Sequence, residues 1–143
     1  MIVLDTTVLA YAVGADHPLR EPSARLLLAI GDGSVQATTT PEVIQEFAHV
    51  RARRVPRAEA VARARDFAQA LSPLLPVDEE ALDRGLDLFA RHERLGSFDA
   101  VLAATALVND AEALVSADTA FAAVSRLKHV APGTAEFQRL FAA

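Results

Sequence analysis

Short apolar runs recur along this chain, each only three or four residues long, and the stretches between them carry apolar positions at helical spacing. Runs of that length are too brief for helices, and they read as strands buried on both faces. Strands separated by helices cannot pair as hairpins, so they must cross over and align in parallel. The pattern predicts an α/β fold: a central, mostly parallel sheet of four to five short strands with helices on both faces.

The punctuation of the chain sharpens this reading. Ile2 to Leu4 reads as a first strand, and residues 6–13 as a helix that stops near Gly14. The DHPLREPS stretch reads as a loop, followed by a helix over about 23–30 and a strand over 35–38. Thr40 is suited to cap a helix and Pro41 to open it, with the helix running to about Ala52. Pro56 opens a second long helix to about Leu71, and SPLLPV reads as a short strand bounded by prolines. Asp78 caps a helix that points Leu82, Leu86 and Phe89 toward the core, and Ser97 caps the nearly buried helix that follows. A strand at 113–115, a short helix at 118–123, a strand at 128–130 and a helix after Gly133 complete the series.

At 143 residues and 52% hydrophobic, the chain is expected to form one domain, residues 1–143, with a sizeable core. It has no cysteine, which excludes disulfides, thiolate metal sites and thiol catalysis. No apolar run approaches the roughly 20 residues that span a bilayer, and no basic segment precedes the apolar N-terminus. A soluble, unprocessed, cytoplasmic protein with no membrane role is expected. The net charge of −5 speaks against a nucleic-acid partner, yet six arginines fall between Arg51 and Arg65 against the single acid Glu59. That strip permits RNA binding, and it equally describes an ordinary solvated helix face.

Four widely separated acids stand out: Asp5, Glu46, Asp99 and Asp118. Asp5 and Asp118 end the apolar runs IVLD and ALVSAD, and in an open parallel sheet the carboxyl ends of the strands are where sites form. Each is also what a helix start calls for, since Asp there caps backbone N–H groups. Asp99, two residues after Ser97, shares that ambiguity. Glu46 does not, because it lies inside TPEVIQEFAHV at the border of the stripe formed by Val43, Phe47 and Val50. A carboxylate there needs a partner, whether a site or an arginine such as Arg53 or Arg54. Glu42 lies further from the stripe. Together the acids match the oxygen-donor preference of Mg²⁺ and Mn²⁺.

These segments, IVLDTTVLAYAV, TTTPEVIQEFAHV, SFDAVLAATAL and ALVSADTAF, resemble in order the motif regions of PIN-domain ribonucleases, in particular VapC-type toxins. The resemblance spans nearly the whole chain. It implies that Asp5, Glu46, Asp99 and Asp118 form the acidic catalytic cluster, with Asp5 and Asp99 as direct metal ligands and Glu46 and Asp118 acting directly or through water. It assigns supporting roles to the hydroxyls of Thr6 and Ser116. It also implies a VapB-type antitoxin whose tail covers the groove, and a homodimer. Arg51, Arg53 and Arg54 would hold the RNA backbone.

The chemistry expected is metal-assisted hydrolysis of an RNA phosphodiester with Mg²⁺ or Mn²⁺ as cofactor. No histidine among His17, His49, His92 and His129 is placed as an obvious general base. Two other readings stand beside this one. A non-catalytic module of the same fold would act by binding alone. An α/β phosphotransfer domain also places Asp after its first strand, but it wants a lysine near the phosphoryl group, and Lys128 is the only one here.

Overall fold

The computed structural model describes residues 1–142. The sheet contains β1 (Ile2–Leu4), β2 (Ala37–Thr38), β3 (Ala113–Val115) and β4 (His129–Val130). Its strand order is β2-β1-β3-β4, with every pair parallel. The helices are α1 (Thr6–Val13), α2 (Arg20–Gly31), α3 (Pro41–Arg51), α4 (Arg57–Ala70), α5 (Glu79–Arg91), α6 (Ser97–Val108) and α7 (Ala135–Arg139), with a 3-10 helix over Thr119–Ala123. None of the described helices is long and apolar enough to cross a membrane.

The sheet is short but wholly interior. Val3, Leu4, Leu114 and Val115 are fully buried, and around them pack Leu9, Leu26, Phe47, Phe121 and Phe137. Each such side chain contributes about 1.5–3 kcal/mol on leaving water. Phe47 of α3 meets Phe67 of α4 edge-on at 5.0 Å, which locks those two helices together. In this strand order the chain leaves β1 toward β2 on one side and returns through β3 on the other. The crevice beyond the carboxyl ends of β1 and β3 is therefore the switch point where ligands bind in open α/β sheets.

Most boundaries fall where the caps put them. Asp5 caps α1 and Gly14 ends it, Thr40 accepts from the Val43 N–H with Pro41 in the first turn, and Asp78 caps α5. Four expectations need correction. Helix α2 starts at Arg20 rather than near Ser23, because Pro22 falls within its first turn, where a missing N–H costs nothing. SPLLPV is not a strand: its two prolines withhold ladder donors, and the segment instead crosses the end of β2 through Leu75 N–H to Thr39 O (2.9 Å) and Thr38 Oγ1 to Pro73 O (2.9 Å). Ser97 is the first helical residue of α6, and Gly96 occupies the cap position without a side-chain bond.

The fourth correction concerns α5. Leu82, Leu86 and Phe89 do not face the core; they are 46%, 49% and 47% exposed. The face that turns inward carries Ala81 and Gly85, with Leu88 packed beside them. Gly85 explains the choice, since a Cβ there would lie 2.6 Å from Val101 Cα of α6. The small face lets the two backbones approach closely, and the large apolar residues one step round the helix are left outside.

Candidate functional site

Asp5 is the hub of the crevice. It follows β1 directly, its N–H donates to Val115 O of β3 at 3.0 Å, and its residue is only 3% exposed. Its Oδ2 accepts from Ser116 Oγ (2.7 Å), Thr7 Oγ1 (2.9 Å) and the Thr7 N–H (3.4 Å). Its Oδ1 accepts no hydrogen bond from the described residues. One carboxylate oxygen is thus tied into the scaffold, and the other is left for whatever enters the crevice.

Ser116 follows β3 and is fully buried. While donating to Asp5, its Oγ accepts from the Asp118 N–H at 2.9 Å, so one hydroxyl sets both strand ends. Thr7 bridges the same two strand ends, because its Oγ1 donates to Asp5 and accepts from the Ala117 N–H at 3.0 Å. Sequence reasoning assigned nothing to Thr7. The available signal was its position two residues after an N-cap Asp, where its backbone N–H and its hydroxyl both reach the capping carboxylate.

Glu46 sits on α3, exposed to the crevice, and its Oε2 accepts from Thr6 Oγ1 at 3.0 Å. The partner expected for this carboxylate is therefore the threonine beside Asp5 rather than an arginine. Asp118 caps the 3-10 helix, accepting from the Ala120 N–H at 2.9 Å. Asp99 lies in the first turn of α6. Burial, and then the negative charges of Asp5, Glu46 and Asp118, push its carboxyl up from the ordinary 3.8 to about 7. Asp5, Glu46 and Asp118 are therefore close enough to act on Asp99.

Asp5, Glu46 and Asp99 line one pocket, with Glu42 and Thr40 of α3 on its rim. Its other wall is apolar, and Leu82, Leu86 and Phe98 belong to it. A reading that puts Leu82 and Leu86 in the core hides that wall. Among the described residues no three acids or histidines stand close enough to cage an ion by themselves. The donors still suit Mg²⁺ or Mn²⁺, which take one or two carboxylates and keep several waters. The Oδ1 of Asp5 and the carboxyl of Asp99, neither of which accepts a hydrogen bond among the described residues, are oxygen donors of that kind.

The arginines divide. Arg51 and Arg54 line a groove between the carboxyl-terminal ends of α1 and α3, whereas Arg53 lies with His49 and Arg57 in a separate depression. The histidines stay clear of the acids: His129 Nε2 is bonded to Ser116 O (2.9 Å), His17 stacks on Tyr11, and His49 meets Arg53.

Comparison with known proteins gives a consistent picture. Residues 2–127 match the PIN domain family. The chain is 52% identical over 139 residues to Ribonuclease VapC7 of Mycobacterium tuberculosis, covering 94% of each, and 30% identical over 132 residues to Ribonuclease VapC13 of the same organism, covering 92% of this chain and all of that one. Among solved structures it is similar in fold to M. tuberculosis VapC20, described as a Sarcin-Ricin loop cleaving toxin, with a TM-score of 0.73 at 19% identity over 87% of this chain and 95% of that one.

Proposed function

The chain belongs to the PIN domain family, and on that premise we propose that it is a divalent-metal-dependent endoribonuclease, the toxin of a VapBC-type toxin–antitoxin pair acting in the cytoplasm. The observation that carries the mechanism is the convergence of Asp5, Glu46 and Asp99 on one pocket, with Asp118 near enough to raise the carboxyl of Asp99. The 52% identity to a VapC ribonuclease supports the reaction and the substrate class.

In this reading Asp5 and Asp99 would hold Mg²⁺ or Mn²⁺, with Glu46 and Asp118 completing the site directly or through water. When bound, the ion would supply charge neutralisation at the phosphate and make a water more nucleophilic. The chain's own part is positional. Ser116 and Thr7 fix the Asp5 carboxylate in one orientation, so that its free oxygen is presented without reorganisation. Thr6 does the same for Glu46. The acids repel a bare phosphodiester, which makes entry of the scissile phosphate into the pocket, though not contact with RNA elsewhere on the chain, conditional on the metal.

An antitoxin of the VapB type and a second copy of the chain are the expected partners. VapC relatives and a solved VapBC2 assembly from Rickettsia felis, similar in fold at a TM-score of 0.72 and 18% identity over 92% of this chain and 99% of that one, support the antitoxin, while the second copy rests on the family resemblance alone. The test is RNA cleavage by the partner-free protein. It should require Mg²⁺ or Mn²⁺, stop with EDTA, and be abolished in Asp5→Asn and Asp99→Asn. Cleavage by Asp99→Asn at the wild-type rate would overturn the metal assignment.

A further inference from the structure

The groove between the carboxyl-terminal ends of α1 and α3 shares α3 with the acidic pocket and is chemically its opposite. Its rim carries Arg51 and Arg54, and neither forms an ion pair among the described residues. In a chain of net charge −5, two free guanidinium groups beside one groove are a local reversal of sign. Asp16 is the one acid on the groove, and it is exposed.

The same groove holds an aromatic platform. The rings of Tyr11 and His17 stack with centroids 4.5 Å apart, and His17 Nδ1 accepts from the Leu19 N–H at 3.1 Å. His17 is thus held on one face by Tyr11 and at its edge by the backbone, while the residue remains exposed. A ring fixed before binding loses little freedom when a flat partner lies on it. Guanidinium groups beside a fixed aromatic face are the chemistry that recognises a nucleotide, the first through phosphate and the second through the base.

Placement ties the groove to the reaction. Tyr11 lies six residues after Asp5 on the α1 segment, about 9 Å along the helix axis. Arg51 lies five residues after Glu46 on α3, about 7.5 Å along its axis. Two of the three helices that bring acids to the pocket, α1 through its cap and α3, therefore carry groove residues one to two turns further on, within reach of a strand whose phosphate occupies the pocket. Arg53 points elsewhere, its guanidinium 3.3 Å from His49 Nε2.

We infer that this groove binds an unpaired nucleotide of the RNA substrate flanking the cleaved bond, with a base on the His17–Tyr11 stack and phosphate against Arg51 and Arg54. The inference rests on the ribonuclease reading and adds to it a base-stacking subsite on α1 and the segment after it, one to two helical turns from the acids.

Binding of a fluorescent single-stranded RNA to the full chain in EDTA, followed by anisotropy, tests it. Replacing Arg51 and Arg54 together by Ala should weaken binding roughly tenfold and lower the slope of log affinity against log salt by about 1.4, since each phosphate contact on a single strand contributes about 0.7. Replacing Arg53 and Arg57 together removes the same charge outside the groove and should cost far less. His17→Ala should weaken binding roughly tenfold, His17→Phe should restore it, and RNA carrying abasic sites should no longer distinguish the three. Equal losses from the two arginine pairs would reduce the groove to diffuse charge and overturn the inference. So would an effect of His17→Ala that persists on abasic RNA, or arginine variants that bind RNA normally but lose a protein partner. If wild type cuts RNA with Mn²⁺ while every groove variant binds as it does, only the nucleotide subsite is wrong. If wild type neither binds nor cuts RNA, the ribonuclease reading itself fails.

Discussion

Asp99 carries a measurable conflict between folding and function. In the folded protein its carboxyl is pushed up to about 7, while in the unfolded chain it returns to the ordinary 3.8. Between those values the folded state holds a proton that the unfolded state has released, so stability falls as pH rises from about 4 to about 7 and stays lowered above. A change of about three pH units at ~1.36 kcal/mol each corresponds to a gross cost of about 4 kcal/mol. Asp99 is partly exposed, and solvent screening removes about half of that, leaving about 2 kcal/mol. For a domain of this size that is about 6 °C in melting temperature. Asp99→Asn keeps the shape and removes the charge. In EDTA at pH 8 the variant should therefore melt about 6 °C above wild type, while at pH 5, about one unit above the unfolded value, the gap should shrink to about 2 °C. Excess Mn²⁺ should then raise wild type more than the variant, because an ion that binds only the folded state stabilises it by mass action. The same difference at both pH values, or equal responses to Mn²⁺, would show that Asp99 is only a helix-start residue and that the acids do not form one site.

Two further outcomes check the geometry. Glu46→Gln should cut RNA cleavage severely, whereas Glu42→Gln should leave most of it: both line the pocket, but only Glu46 is oriented by Thr6 and acts on Asp99. The reverse ranking in a cleavage assay would mean that α3 presents a different side to the substrate. Gly85→Ala should destabilise the fold by about 1–3 kcal/mol in urea unfolding, because its methyl would press on the Val101 backbone; an unchanged midpoint would show that α5 and α6 can separate freely.

What can be read from the residues alone follows a physical rule. Elements are legible where a local signal decides them, as with Asp5 and Gly14 around α1 or Thr40 and Pro41 at α3. They mislead where a distant contact decides. The rotation of α5 is set by one close approach of Gly85 to α6, and nothing in the spacing of Leu82, Leu86 and Phe89 discloses which of two adjacent stripes a neighbour will choose. Pro22 looks like a barrier because its place in the first turn depends on where α2 begins. The acids are legible as candidates, but the choice between cap and site dissolves at Asp5, which caps through Oδ2 and keeps Oδ1 for the pocket. Thr7 escapes a sequence reading because its role is to join two strand ends that lie far apart in the chain.

The strand order has a consequence for how the molecule is made. β1, which precedes every other strand in the chain, is an inner strand, and its second neighbour, β3, contributes Ala113 opposite Ile2 and Val115 opposite Leu4. Thr7 can orient Asp5 and Thr6 can meet Glu46 early, but the second hydroxyl on Asp5 arrives only with Ser116, and Asp118 only after that. A growing chain therefore carries Asp5, Glu46 and Asp99 for most of its synthesis without the strand that fixes the other side of the crevice. On the proposed reading the site is complete only when the last quarter of the chain slots in beside the first few residues, so RNA cleavage should be absent from chains that stop short of Ser116.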